Sequence, residues 1–232
     1  MKSRHAGLLL VLLSMTAVLS GCVAHTPMSE MVMFRDPATP VRHDGSVSVG
    51  LMYSVSATYK PTEAWYKKDF PQFADRREPV GRVGTGGLYG SIVGKEGKLG
   101  VSFFLGPNPG MDATAKVFRR NYVTVGMTGY KRDFGSSGIF QAYLQHRAIN
   151  RGAFAAAVGV GGRHEILMVS EGCENLMGCW YDTRVASVGV RGFALLRSPN
   201  SARTGFKLSG YVGYIPYVDQ PIASVSVTAG GF

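Results

Sequence analysis

The sequence predicts an all-β chain, an antiparallel up-and-down β-barrel of about 8–10 strands. Three observations carry this reading. A hydrophobic period of two recurs along the chain, turn residues separate the recurrences, and the 31 glycines lie within the patterned stretches, not in a linker. Helix interiors tolerate glycine poorly, whereas curved sheets and tight turns use it.

The first period begins at Gly45. Val47, Val49, Leu51, Tyr53, Val55, Ala57 and Tyr59 share one face, and Ser46, Ser48, Gly50, Met52, Ser54, Ser56 and Thr58 share the other. This predicts a strand longer than the roughly 5–6 residues usual in globular sheets, and long enough for the roughly 9–11 that a tilted membrane strand needs. The pattern returns near 80–93, 99–105, 117–130, 139–146, 153–160, 185–196, 206–217 and 222–232. Between these stretches, 94–97, Gly106-Pro107-Asn108-Pro109-Gly110, 133–138, Asn150-Arg151-Gly152 and Ser198-Pro199-Asn200-Ser201 read as hairpin connections. Sequential strands without helical crossovers form a meander, and closing it removes the edges it would otherwise expose.

Residues 1–21 have the form of a signal peptide, with Lys2 and Arg4 ahead of an apolar run over 7–19. That run is shorter than the roughly 20 residues a spanning helix needs. Leu19-Ser20-Gly21-Cys22 resembles the bacterial lipobox. The resemblance implies cleavage before Cys22 and acylation of its thiol, palmitate among the chains, with membrane lipid as partner. Val23, where enteric inner-membrane lipoproteins carry Asp, implies the outer membrane. Residues 22–44, with Pro27, Pro37 and Pro40, are then a lipidated N-terminus and tether, and 45–232 the barrel domain. Within the tether, Thr26-Pro27 can start one helical turn carrying Met28, Met31 and Phe34.

Export also suits the other two cysteines. Cys173 and Cys179 flank a short polar stretch and are expected to form a disulfide in an oxidising compartment. No metal is expected, because two thiols without a nearby histidine fall short of a four-ligand site.

The net charge is +10, and loss of Lys2 and Arg4 with the signal leaves +8. Such a surplus fits anionic headgroups or lipopolysaccharide phosphates, and export argues against nucleic acid. The basic residues are scattered, so a plain solvated surface is an equal reading.

Alternation alone does not separate a membrane barrel, apolar outside, from a soluble one, apolar inside. The second face is informative: it is mostly Ser, Gly, Thr and Ala with an occasional ion, which suits a cramped lumen better than a solvated exterior. In the same phase, Gln141 and Gln145 oppose Phe140, Ala142 and Leu144. Arg191 opposes Val188 and Val190, and Lys207 opposes Phe206 and Leu208. A charge at lipid depth costs roughly 2–4 kcal/mol, so Gln141, Arg191 and Lys207 are candidate lumen residues. Tyr53, Tyr59, Tyr122, Tyr130, Tyr211, Tyr214 and Tyr217 supply candidates for interfacial girdles. The final Phe232 resembles the last residue of many outer-membrane barrels. The residues in phase with it are Gly230, Thr228, Ser226 and Ser224, with Val225 and Val227 out of phase, so the resemblance is partial; a bulge near Gly230-Gly231 would restore the phase.

Chemistry is sparse. His164, Glu165 and Ser170 are the residue types of a lipid-cleaving site, but such types are too common to define one, and no catalytic residue is assigned. The stretch from Gly90 to Lys95 is one residue short of a phosphate loop, and Gly84, Gly86 and Gly90 precede no helix, so no cofactor is expected. The long segment 61–82 sets Trp65, Tyr66, Phe70 and Phe73 among Lys67, Lys68, Arg76 and Arg77. It reads as a surface contact for an anionic partner or as a flap over the barrel mouth. The expected role is structural or binding, at the cell envelope. The alternatives are a lipid-tethered soluble barrel carrying an apolar ligand and, third, a lipid-modifying enzyme.

Overall fold

The computed structural model describes residues 29–34, 46–58, 82–94, 97–106, 108–132, 135–169, 179–198 and 201–231. Ten antiparallel strands close into one barrel, each paired with its neighbours in sequence and the last with the first. They are β1 (Ser46–Thr58), β2 (Arg82–Val93), β3 (Leu99–Leu105), β4 (Gly110–Phe118), β5 (Asn121–Arg132), β6 (Gly135–Arg151), β7 (Phe154–Val169), β8 (Cys179–Ser198), β9 (Ser201–Ile215) and β10 (Gln220–Gly231).

The predicted meander is therefore present, with one strand more than the pattern marked out. The stretch 117–130 divides into the end of β4 and most of β5, joined at Arg119-Arg120. Two features conceal the division. The turn places Arg119 at φ 45 without the Asn or Gly that favours such a conformation. The outward residues of β4 include Ala113 and Ala115, so its alternation has little amplitude. The taller wall is β6 to β9, at 17, 16, 20 and 15 residues, against 7 for β3 and 9 for β4.

The two ends differ. Short connections, Arg119-Arg120 and Gly152-Ala153 among them, gather at the end where β1 begins and β10 finishes. The connections spanning 59–81 and 170–178 belong to the other end. The ladder from β10 to β9 keeps its register through Gly231, so no phase-restoring bulge occurs among the described residues of the last strand.

Alternation sorts the faces sharply. Val47, Leu51, Leu105, Val188 and Val212 point outward and are each more than 60 % exposed, and Leu88, Phe103, Leu144, Phe206 and Val225 continue the apolar exterior. The intervening residues point inward and are buried: Ser91, Ser102, Thr114, Thr124, Gln145, Ser187, Ser209, Ser226 and Thr228. Inner-face glycines make room for the interior rings. A Cβ on Gly161 would stand 2.1 Å from the Ala142 carbonyl oxygen and 2.6 Å from the Tyr143 ring, and one on Gly50 2.6 Å from the Tyr89 ring.

Ser29–Phe34, from the span expected to be tether, forms a 3₁₀ turn packed inside this barrel against β3 and β4. Val32 and Met33 join Tyr89, Val93, Phe104, Tyr122, Phe193 and Leu195 in a buried apolar cluster. Burial of the two side chains favours this position, at roughly 1.5–3 kcal/mol each.

Gly161→Val, set against backbone, should destabilise the refolded barrel by about 1–3 kcal/mol. Urea unfolding midpoints in detergent micelles check this, and Gly90→Val, where a Cβ meets nothing within 4 Å, is the control.

Candidate functional site

The site is the barrel interior. Among the described residues, the buried carboxylates and the buried Arg and Lys side chains there are equal in number: Glu30, Asp112 and Glu165 against Arg163, Arg191 and Lys207. An ion removed from water costs several kcal/mol even after relaxation, so charges persist there only when opposed or well hydrogen-bonded.

Glu30 is the centre of the arrangement. The 3₁₀ turn carries its carboxylate, wholly buried, to the facing strands β8 and β9. Its Oε1 stands 3.1 Å from Arg191 Nε and its Oε2 3.0 Å from Lys207 Nζ. Arg191 Nη2 donates to Oε2 at 3.1 Å, and Gln145 Nε2 donates to Oε1 at 2.8 Å. One carboxylate thus answers two cations. Aromatic faces add to their setting: Arg191 lies 4.8 Å over the Tyr143 ring and Lys207 4.9 Å over Phe193.

Asp112 holds the start of the turn. Its Oδ1 accepts from the Ser29 amide at 2.8 Å and from the Ser29 hydroxyl, and its Oδ2 accepts from Ser102 Oγ at 2.7 Å. Hydroxyls carry the network onward, from Ser29 to Thr114 at 2.8 Å, to Thr124 at 2.7 Å, and to Gln145 Nε2 at 2.8 Å. At the other end of the turn, Arg147 Nη1 donates to the Met33 carbonyl at 2.8 Å.

A second layer lies between β6, β7, β9 and β10. Arg163 Nε donates to Tyr143 Oη at 2.9 Å and Nη2 to Ser224 Oγ at 3.0 Å, with its guanidinium 4.2 Å over the Tyr211 ring. Tyr143 and Tyr211 meet edge to face at 5.9 Å, and Tyr211 Oη lies 3.0 Å from Ser187 Oγ. The interior is thus packed by its own side chains, as expected for a barrel of this size.

Of the residues singled out from sequence, Gln141, Arg191 and Lys207 are all interior, at 4 %, 2 % and 0 % exposure. Arg191 and Lys207 meet at Glu30, and Gln141 accepts from Tyr143 Oη at 3.3 Å. Tyr122 and Tyr211 also point inward, which removes them from an interfacial girdle, while Tyr214 points outward. His164 and Glu165 occupy opposite faces of β7. His164 is outside, 3.2 Å from Asp182, and Glu165 is buried inside, so the two do not converge. Cys179 opens β8. Cys22, Cys173, Ser170 and the residues from Trp65 to Arg77 lie outside the described residues, as do Tyr53 and Tyr130 side chains.

Glu30, Asp112 and Arg163 were not singled out by sequence. Arg163 alternates in phase with Ala155, Ala157 and Gly161 and was accessible to the same face argument as Arg191. Asp112 stands alone among Met111, Ala113 and Val117, in the strand whose pattern is weakest. Glu30 lies in an irregular stretch with no period to place it.

No family description and no curated protein matches the chain. Two solved structures are similar in fold: the N-terminal β-barrel domain of Pseudomonas aeruginosa OprF and the outer membrane protein OprG from the same organism. The first has a TM-score of 0.38 and 8 % identity, over 81 % of this chain and 99 % of that one. The second has a TM-score of 0.32 and 10 % identity, over 82 % and 95 %.

Glu30→Gln should cost about 3–5 kcal/mol, because it leaves two buried cations without their carboxylate. Combining it with Lys207→Met should recover part of that loss. Chemical unfolding of the three proteins decides the matter; equal stability of wild type and Glu30→Gln would mean that the turn is not seated among these cations.

Proposed function

We propose that this protein is a lipid-anchored outer-membrane β-barrel with a filled lumen and a structural or binding role at the cell envelope. The observation that carries the reading is the inside-out distribution of side chains, apolar outside and charged inside. In water, the exterior would expose far more contiguous apolar surface than the few hundred Å² that soluble monomers usually tolerate. In a bilayer it is the expected lipid-facing band, and closure leaves no unpaired strand edge to desolvate. The same arrangement argues against the tethered soluble carrier, whose apolar ligand would need an apolar interior. Separation of His164 from Glu165 by the strand's two faces removes the geometric basis for a hydrolytic pair.

The lipobox supplies the second anchor, through Cys22. Seven residue steps separate Cys22 from Ser29, which at full extension reach about 25 Å. That length caps the distance between the anchored end and the seated turn, and acylation would hold the chain beside the barrel that it enters. Lipopolysaccharide remains a candidate partner for the aromatic and basic segment from Trp65 to Arg77. A disulfide between Cys173 and Cys179 would staple the loop leading into β8.

Cys22→Ser should remain in the membrane after alkaline extraction, should lose metabolic labelling with palmitate, and should keep a heat-dependent shift in gel migration. Release into the soluble fraction would overturn the embedded barrel in favour of the tethered one. Thiol alkylation of the denatured protein before and after reduction should reveal two additional reactive cysteines after reduction; equal labelling would exclude the staple.

A further inference from the structure

Three adjacent hairpin ends at the short-turn end of the barrel bring arginines together. Arg119 and Arg120 form the β4–β5 turn, Arg147 and Arg151 flank the end of β6, and Arg197 lies near the end of β8. Backbone bonds set the first two groups side by side. The Arg147 amide donates to the Arg120 carbonyl at 2.9 Å, and the ladder from β6 to β7 shifts register between Arg147 and Ile149, which leaves Ala148 unpaired. Arg197 braces the next turn by donating to the Gly152 carbonyl at 2.7 Å and to Asn150 Oδ1 at 2.6 Å.

The result is a groove of about 320 Å³ lined by Arg120, Arg147, Ala148, Ile149, Asn150 and Arg151. It has two chemistries. Arg120 and Arg151 are exposed at its rim, and Ala148 and Ile149 give it an apolar side that continues onto the outer wall, where Val117, Phe118, Phe154 and Leu196 are also exposed. Arg119 lies over the ring of Phe118 at 5.0 Å, at the boundary between charge and apolar wall. Among the described acids, Glu30, Asp112 and Glu165 are interior, while Asp182 and Asp219 belong to the opposite end. Lys98, in the turn just before β3, and Lys116, near the end of β4, are exposed and add to the same sign.

We propose that this groove binds the headgroup of an anionic glycerophospholipid, with the phosphate among Arg120, Arg147 and Arg151 and the acyl chains along Ile149 and the outer wall. The assignment rests on the membrane placement proposed above. It deepens that reading by naming a lipid class and the end of the barrel at which it is recognised. In membrane barrels the short turns are periplasmic, so this end would meet the phospholipid leaflet. A basic residue beside an anionic leaflet strengthens binding about fivefold. Arg147 also holds the Met33 carbonyl, so the lipid and the seated turn share one guanidinium.

The test is native mass spectrometry of the full-length protein in detergent with equal amounts of phosphatidylglycerol and phosphatidylcholine. The wild type should retain phosphatidylglycerol preferentially. R120Q/R151Q should lower that preference about fivefold for each arginine removed, and Arg184→Gln at the other end should leave it unchanged. Equal retention of the two lipids by the wild type would overturn the proposal, as would an unchanged preference in a double variant that still shows heat-modifiable migration. Should that variant fail to fold, the wild type in rising salt decides: the preference must shrink as screening grows, and its persistence at about 1 M salt would overturn the assignment. Resistance of the wild type to alkaline extraction reports separately on the membrane placement.

Discussion

The carboxylate of Glu30, shared between Arg191 and Lys207, is the interaction on which the interior depends. The two cations belong to neighbouring strands, and inside a closed barrel neither can turn toward water to relieve the other. Among the described residues, the strand carboxylates Asp112 and Glu165 do not balance the three interior cations by themselves; the third carboxylate comes from a segment outside the sheet. Seating that segment places Val32 and Met33 where they complete the apolar cluster beneath the short turns. Ionic and apolar contributions therefore act on the same six residues, which is sufficient to hold a turn whose own 3₁₀ hydrogen bonding is weak.

The sheet delivers this interior through simple alternation, but the packing needs glycine. Large rings such as Tyr89, Tyr143 and Tyr211 are among the most buried side chains, and each lies against an inner-face glycine whose Cβ, if present, would collide with the ring. An abundance of glycine in long strands, costly for backbone entropy, is here the condition for bulky polar aromatics to fit inside a narrow barrel. Those rings then supply faces for Arg163 and Arg191, so small residues and ion placement are two sides of one packing solution.

The barrel class and strand faces were readable in the sequence because a period of two survives wherever one face is apolar and the other is not. Gln141, Arg191 and Lys207 could be assigned to one face on that ground alone. β4 escaped because alanines flatten its alternation and because its turn uses Arg-Arg, which lacks the marker residues of a tight hairpin. Glu30 escaped for a different reason: its position follows from long-range charge compensation, and no local pattern encodes that. A count of inner-face charges could have pointed to a missing anion. Among the described strand residues, Arg163, Arg191 and Lys207 outnumber Asp112 and Glu165, and a closed low-dielectric space does not leave such an excess unanswered.

Arg147 connects this interior to the outside. It sits at an irregularity of β6, where one extra residue lets the chain present a side chain toward the lumen mouth while Ile149 returns to the outer wall. From there it reaches the Met33 carbonyl, and its neighbours across the groove are the exposed Arg120 and Arg151. A purely structural clamp on the turn would need one donor, and the exposed arginines would then be misplaced charge repulsion beside an apolar wall. Like charges gathered at such a boundary repel one another, and an anion shared among them relieves that repulsion. The groove is consequently better explained by something that it binds than by the barrel that it belongs to.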